Sequence, residues 1–218
     1  MKVGKDIKCI LFDMDGVIID SELLHRKAYY QTFISLGLEV SDELYQSLTG
    51  SSTINAFEKL VAHFGLKEDP SDLVLRKRKV YVNLFENDPN LHLVDGVEEL
   101  IKHFHKMGKT LVLASSSAMV NIERVFKRFN LDQYFTAKIS GADLARSKPD
   151  PEIFEKAALL GNTPRENCLV IEDSDNGVHA AKAAGIFVVG YRNPLAVGQT
   201  LEKADLIIRD FKELKALL

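Results

Sequence analysis

The sequence has no tryptophan, two cysteines and six prolines in 218 residues. It also lacks any apolar run near the ~20 residues needed to span a membrane. Two cysteines cannot build a disulfide framework. Cys9 and Cys168 each sit inside an apolar segment, which predicts small buried thiols and is compatible with a reducing compartment. Charge of one sign is missing too. The 28 basic and 31 acidic side chains leave a formal net charge of -3, so neither nucleic acid nor a membrane surface is an expected partner. The first residues, Met1 to Asp6, carry charges where a secretory signal requires an apolar stretch, and a cytoplasmic location is expected. What is present is a chain that is 46% hydrophobic and 27% charged, sufficient for a substantial core and poorly suited to disorder.

Short apolar runs recur at Cys9–Phe12, Leu111–Ala114, Leu169–Ile171, Phe187–Val189 and Leu206–Ile208. They lack the alternation of a half-exposed strand, and unbroken runs mark strands covered on both faces by helices. Helical patterns lie between them, including Val97–Phe104 before Gly108 and Val178–Ala184 before Gly185, with each glycine where a helix C-cap belongs. This order predicts an α/β fold: a Rossmann-like, doubly wound parallel sheet whose ligands gather outside the carboxyl ends of the strands. Between about Ser21 and Asn87 the alternation stops and amphipathic helical patterns follow one another. They are punctuated by Gly37, Gly50 and Gly65 and followed by a return loop at Asn87–Asn90. An all-helical insert over 21–87 is therefore expected in a core made of 1–20 and 88–218.

Three of the apolar runs are followed at once by polar clusters: Asp13-Met14-Asp15-Gly16, Ser115-Ser116-Ser117 and Glu172-Asp173-Ser174-Asp175. In a parallel sheet these clusters share one edge. Like charges ~4 Å apart repel by about 4 kcal/mol at an effective dielectric near 20, so a cation is needed among them. Oxygen donors without histidine or cysteine favour a hard ion such as Mg²⁺ over zinc. Helix capping would explain one such cluster but not three. Lys148, between Ser147 and Pro149 just before a helical pattern, is the candidate clamp for an anionic substrate.

The segment Phe12-Asp13-Met14-Asp15-Gly16-Val17-Ile18-Ile19-Asp20-Ser21-Glu22 resembles the first motif of the haloacid dehalogenase superfamily, in the branch of β-phosphoglucomutases and sugar phosphate phosphatases. Leu113-Ala114-Ser115, Lys148-Pro149 and Ile171-Glu172-Asp173-Ser174 resemble the second, third and fourth motifs, in order. The resemblance implies a phosphoaspartate mechanism in which Asp13 is the nucleophile and Asp15 the general acid and base. Mg²⁺ would be held by Asp13, Asp173 and the backbone carbonyl of Asp15, with Glu172 assisting from outside. Ser115 and Lys148 would grip the phosphoryl group, with Ser116 and His25 as further substrate contacts. The helical insert would be a cap that meets the rest of the substrate.

Two departures bear on the reaction. Thr53, after Gly50-Ser51-Ser52, stands where the mutases place an arginine, and Ala118 stands where they tend to have lysine. The basic run Arg76-Lys77-Arg78-Lys79 reads as a solvated helix face. Asn176-Gly177 reads as a turn into the following helix, and Asp20 and Ser21 as caps of the first helix of the insert. The favoured reading is a phosphatase of small phosphorylated metabolites such as sugar phosphates. A β-phosphoglucomutase-type isomerase is the alternative, and a catalytically silent phosphometabolite-binding protein the second. A monomer or weak oligomer is expected.

Overall fold

The computed structural model describes residues 6–48, 53–89, 91–196 and 198–217. Gly50, read as helix punctuation, Ser51 and Ser52, which precede Thr53, and Asn90 of the return loop lie outside them. The chain forms two compact units, Met1–Asp20 with His92–Leu218, and Ser21–Leu91.

The first unit is a six-stranded sheet in which every pairing is parallel, ordered β3-β2-β1-β4-β5-β6. Its strands are β1 (Cys9–Phe12), β2 (Thr110–Ser115), β3 (Ala137–Ser140), β4 (Cys168–Glu172), β5 (Phe187–Tyr191) and β6 (Leu206–Ile208). Five of them coincide with the apolar runs. Ile10, Leu11 and Phe12 of β1 are each completely buried, the burial that makes such runs unbroken. Each contributes about 1.5–3 kcal/mol by leaving water. One face of β1, Cys9 and Leu11, packs with Ile153, Phe154 and Ala157 of α7 (Glu152–Leu160) and Val178 and Ala181 of α8 (Asp175–Ala183). From the other face Phe12 meets Phe135 edge-on, and Phe135 meets Phe126 of α6 (Met119–Phe129). The helices α5 (Val97–Lys106) and α9 (Phe211–Leu217) pack against each other. Gly108 and Gly185, at φ +71° and +72°, follow α5 and α8, the left-handed conformation that ends a helix at little cost to glycine. Both cysteines are free and buried, paired in register across β1 and β4.

Among its described residues the regular elements of the second unit are all helices: α1 (Glu22–Ser35), α2 (Asp42–Leu48), α3 (Thr53–Phe64) and α4 (Pro70–Asn87). Its core gathers Phe33, Tyr45, Leu48, Phe57, Leu60 and Leu73. Asp69 caps α4 by accepting from the Ser71 amide at 2.7 Å, with Pro70 in the first turn, where its missing N–H costs nothing.

Two expectations for this region fail. Ser21 occupies the N-cap position of α1 in a helical conformation and its side chain makes no capping bond, while the Asp20 carboxylate accepts from Asn193 Nδ2 at 2.9 Å. The run Arg76–Lys79 is not a uniformly solvated face, because Lys77 is only 4% exposed. Its ammonium lies 4.7 Å from the Tyr29 ring centre and 5.5 Å from that of Tyr81, where a cation is attracted to the ring faces. No described helix is long and apolar enough to cross a membrane.

Candidate active site

The register of the sheet explains why the acids meet. Phe12 pairs with Leu113 on one side and Ile171 on the other, so Asp13, one residue on, emerges beside Ala114 and Glu172 at the carboxyl edge. The order switches direction across β1, and such a switch opens a crevice at the strand ends. The Asp13 amide donates to the Ile171 carbonyl at 3.0 Å, which fixes the start of the loop.

Lys148 enters this crevice from the loop before α7. Its ammonium donates to Asp13 Oδ1 at 2.5 Å, Glu172 Oε1 at 2.7 Å and the Ala114 carbonyl at 3.1 Å. Burial works against its charge, but the two carboxylates outweigh burial and raise its pKa above the ordinary lysine value. Asp13 is pushed up to about 7, chiefly by burial, with Lys148 opposing and Glu172 and Asp15 adding to the rise. Asp173 is pushed up to about 9 by burial and then by Glu172, Asp13 and Asp15.

Asp13, Glu172 and Asp173 each bring one carboxylate oxygen within 4.8 Å of the others, all three residues buried. Lys148 pairs with Asp13 and Glu172 and makes no bond to Asp173, so burial and mutual repulsion hold the Asp13 and Asp173 carboxyls above their ordinary range. Among the described residues no group donates a hydrogen bond to the Asp173 carboxylate. Glu172 is different: Oε1 serves Lys148, and Oε2 accepts from the Asp173 amide at 3.0 Å, the Ser174 amide at 3.1 Å and the Ser174 hydroxyl at 2.9 Å. The donor set therefore fits a hard divalent cation, with Asp13 and Asp173 open to it and Glu172 engaged elsewhere.

Two glycines keep this packing possible. A Cβ on Gly16, at φ +83°, would collide with the Asp173 carboxylate. A Cβ on Gly177 would collide with the Glu172 carboxylate. Asn176-Gly177 is thus not a turn before the helix. It lies in the first turn of α8, capped by the Ser174 hydroxyl accepting from the Gly177 amide at 3.0 Å, and the missing side chain leaves room for Glu172. Gly177→Ala is expected to displace Glu172, weakening the Lys148 pair and lowering the thermal midpoint by several degrees, since breaking a buried pair costs about 3–5 kcal/mol. Thermal denaturation checks this; an unchanged midpoint would refute the clearance role.

Not every acid and serine named from sequence joins the group. Asp15 stands outside the trio, its Oδ2 accepting from the Ser117 hydroxyl at 2.7 Å. Asp175 turns away, its Oδ1 accepting from the Leu201 amide at 2.7 Å. Ser115 is fully buried and its Oγ accepts from the Ser117 amide at 3.0 Å, whereas Ser116 is exposed. His25 belongs to the helical unit, stacked on Tyr81 with ring centres 4.5 Å apart and Nδ1 2.8 Å from the Lys77 ammonium. Ser117 belongs to the serine cluster that follows β2 but carries no role on sequence grounds, and Asn193 lies in no motif at all. Asn193 Nδ2 donates to the Gly16 carbonyl and to Asp20 Oδ1, both at 2.9 Å, bracing the loop after β1. Only the turn signal of Asn193-Pro194 was available to mark it.

The haloacid dehalogenase-like hydrolase family matches residues 10–191. The chain is 29% identical over 213 residues to a β-phosphoglucomutase of Bacillus subtilis, covering 95% of this chain and 92% of that one. It is likewise 29% identical over 206 residues to a phosphorylated carbohydrates phosphatase of Thermotoga maritima, covering 92% and 93%. Among solved structures, CbbY of Rhodobacter sphaeroides in complex with phosphate superposes with a TM-score of 0.81 at 28% identity, covering 95% of this chain and 96% of that one.

Proposed function

Because the chain belongs to the haloacid dehalogenase-like hydrolases, we propose that it is a Mg²⁺-dependent phosphatase of small phosphorylated metabolites, sugar phosphates foremost, working through a phosphoaspartate on Asp13. The observation that carries this reading is the buried trio Asp13, Glu172 and Asp173, two of whose carboxylates, Asp13 and Glu172, pair with the Lys148 ammonium. A carboxylate can approach a phosphate dianion only where cations offset the repulsion.

The Asp13 carboxylate forms the new bond to phosphorus while the bond to the leaving oxygen breaks. The electron pair goes to that oxygen, and Asp15 supplies its proton. Asp15 then takes a proton from the water that attacks the phosphoaspartate, releasing phosphate and restoring Asp13. Lys148 and Ser115 bind the transferring group, and Ser116 is a lesser contact. Asp13, Asp173 and the Asp15 carbonyl would hold Mg²⁺, which supplies positive charge against the phosphoryl oxygens. Glu172 orients Lys148 and the backbone of Asp173. The helical unit serves as a cap that recognises the remainder of the substrate, with His25 among its contacts.

The relative named a β-phosphoglucomutase favours a second reading, in which the phosphoryl group returns to another hydroxyl of the same sugar. Such a reaction needs a second phosphate held in place. Ala118, the N-cap residue of α6, has no charged side chain to bind it. Charge-assisted hydrogen bonds are worth about 1.5–3 kcal/mol each, so hydrolysis is preferred.

A panel of phosphate monoesters, assayed with Mg²⁺ and with a chelator, tests both readings when released phosphate and isomerised sugar are scored in one sample. Phosphate release that chelation abolishes is expected. Turnover indifferent to chelation ends the reading. Isomer without phosphate, stimulated by a catalytic sugar bisphosphate, moves the protein to the mutases.

A further inference from the structure

Ser117 is held at three points. Its amide donates to Ser115 Oγ at 3.0 Å, its carbonyl accepts from the Ser140 hydroxyl at 2.9 Å, and its own hydroxyl donates to Asp15 Oδ2 at 2.7 Å. The first two anchors are themselves rigid. Ser115 and Ser140 end β2 and β3 and are register partners, with 0% and 3% exposure. Gly141 lets the two strand ends close up, since a Cβ there would lie 3.1 Å from Ser116 Cα. The Ser117 backbone is therefore fixed by two buried side chains from neighbouring strands. Its hydroxyl carries that fixed position to the Asp15 side chain, 102 residues away in sequence.

On the reading of Asp15 as proton carrier, we propose that Ser117 is a positioning residue that aims the Asp15 carboxylate for proton transfer, with Ser140 holding Ser117 in place. Two physical consequences follow from the donor role of the hydroxyl. It holds one oxygen of the Asp15 carboxyl, which restrains the plane of that group. It also occupies Oδ2 as an acceptor, which directs the proton to the other oxygen when Asp15 is neutral. Ser117 touches neither phosphorus nor the leaving atom in this role, so its removal leaves the attack by Asp13 intact and disables the proton donation that accompanies it.

That distinction gives a test in which a merely structural role would behave differently. The Mg²⁺-loaded protein is mixed rapidly with a sugar monophosphate, whose alkoxide must be protonated to leave, or with p-nitrophenyl phosphate, whose phenolate leaves without a proton. The first turnover is followed for each. For Ser117→Ala, sugar phosphate cleavage is expected to slow on the order of 10- to 100-fold, part of the ~10²–10⁴ that acid-base catalysis contributes, with KM unchanged. The p-nitrophenolate burst should keep its wild-type rate. Ser117→Thr, which keeps the hydroxyl, should restore sugar phosphate cleavage, and Ser140→Ala should give a smaller loss with the same leaving-group pattern. Equal slowing of both substrates in Ser117→Ala assigns the residue to packing and overturns the proposal. No slowing of either overturns it as well. Both of those outcomes presuppose a wild type that labels Asp13; a wild type that never forms the phosphoenzyme brings down the proposed function itself, and this assignment with it.

Discussion

Asp13→Asn is expected to abolish phosphate release, by on the order of 10⁴-fold or more, and to leave no phosphorylated protein after a denaturing quench, because an amide cannot form the acyl phosphate that the nucleophile must become. The fold should survive. Lys148 keeps Glu172 Oε1 at 2.7 Å and the Ala114 carbonyl at 3.1 Å, and asparagine has nearly the shape of the residue it replaces. The metal-free variant should even gain stability at high pH. Burial lifts the Asp13 carboxyl from its ordinary 3.8 to about 7, so the folded protein binds that proton more tightly than the unfolded chain does. Stability that depends on this proton is present below about pH 4 and is lost as pH rises through 7. Asparagine removes the dependence, so the difference in thermal midpoint between variant and wild type should widen from pH 4 to 8 in the presence of a chelator. Activity within tenfold of wild type, or label retained on the protein, would remove Asp13 from the chemistry.

The parts of this molecule that depend on strand burial were legible from sequence, and those that depend on contacts between distant residues were not. Five strands declared themselves because each carries an unbroken apolar run, buried in β1, β2 and β4 and nearly so in β5, whereas β6 lies at the sheet edge with Ile207 exposed. The sixth, Ala137–Ser140, contains Lys138 and lies at the sheet edge half exposed, so it has no unbroken run to detect, yet it ends at Ser140 beside the site. Asp13, Lys148, Glu172 and Asp173 could be grouped because each follows a strand or precedes a helix in a recognisable motif. Ser117 stood in the triplet that was singled out, but its bond to Asp15 depends on where two loops meet. Lys77 looked like one of four solvated cations, because a lysine in a basic run gives no sign that its ammonium will lie over the rings of Tyr29 and Tyr81. Gly177 misled for a related reason. Asn-Gly is a turn signal in isolation, whereas here the absent side chain matters for the space it leaves to a glutamate five residues earlier. The dipeptide carries the backbone preference and not the volume.

Lys148→Met should damage stability and activity together, in contrast to Asp13→Asn. The lysine side chain is 6% exposed and its ammonium is the partner of both Asp13 and Glu172. Methionine matches its length and packs against Phe154, whose ring centre lies 4.9 Å from the ammonium, so the substitution removes charge with little change in volume. Three buried carboxylates then face one another without a cation. Breaking one side of a buried pair costs about 3–5 kcal/mol, which for a chain of this size lowers the midpoint by roughly 10 °C. Mg²⁺ should recover part of that loss, since it relieves the same repulsion, and the recovery should exceed the shift Mg²⁺ gives the wild type. Turnover should not return with it. The ammonium would also neutralise the arriving phosphoryl group, and losing one such contact costs about 10²–10³ in rate. Lys148→Arg keeps the charge but must fit a planar fork among Asp13, Glu172 and the Ala114 carbonyl, a geometry built for a point charge, so it should recover the midpoint more fully than the rate. Thermal denaturation with and without Mg²⁺, beside phosphate release, separates these effects. A Lys148→Met protein as stable as wild type and still turning over would show that the carboxylates do not depend on this lysine.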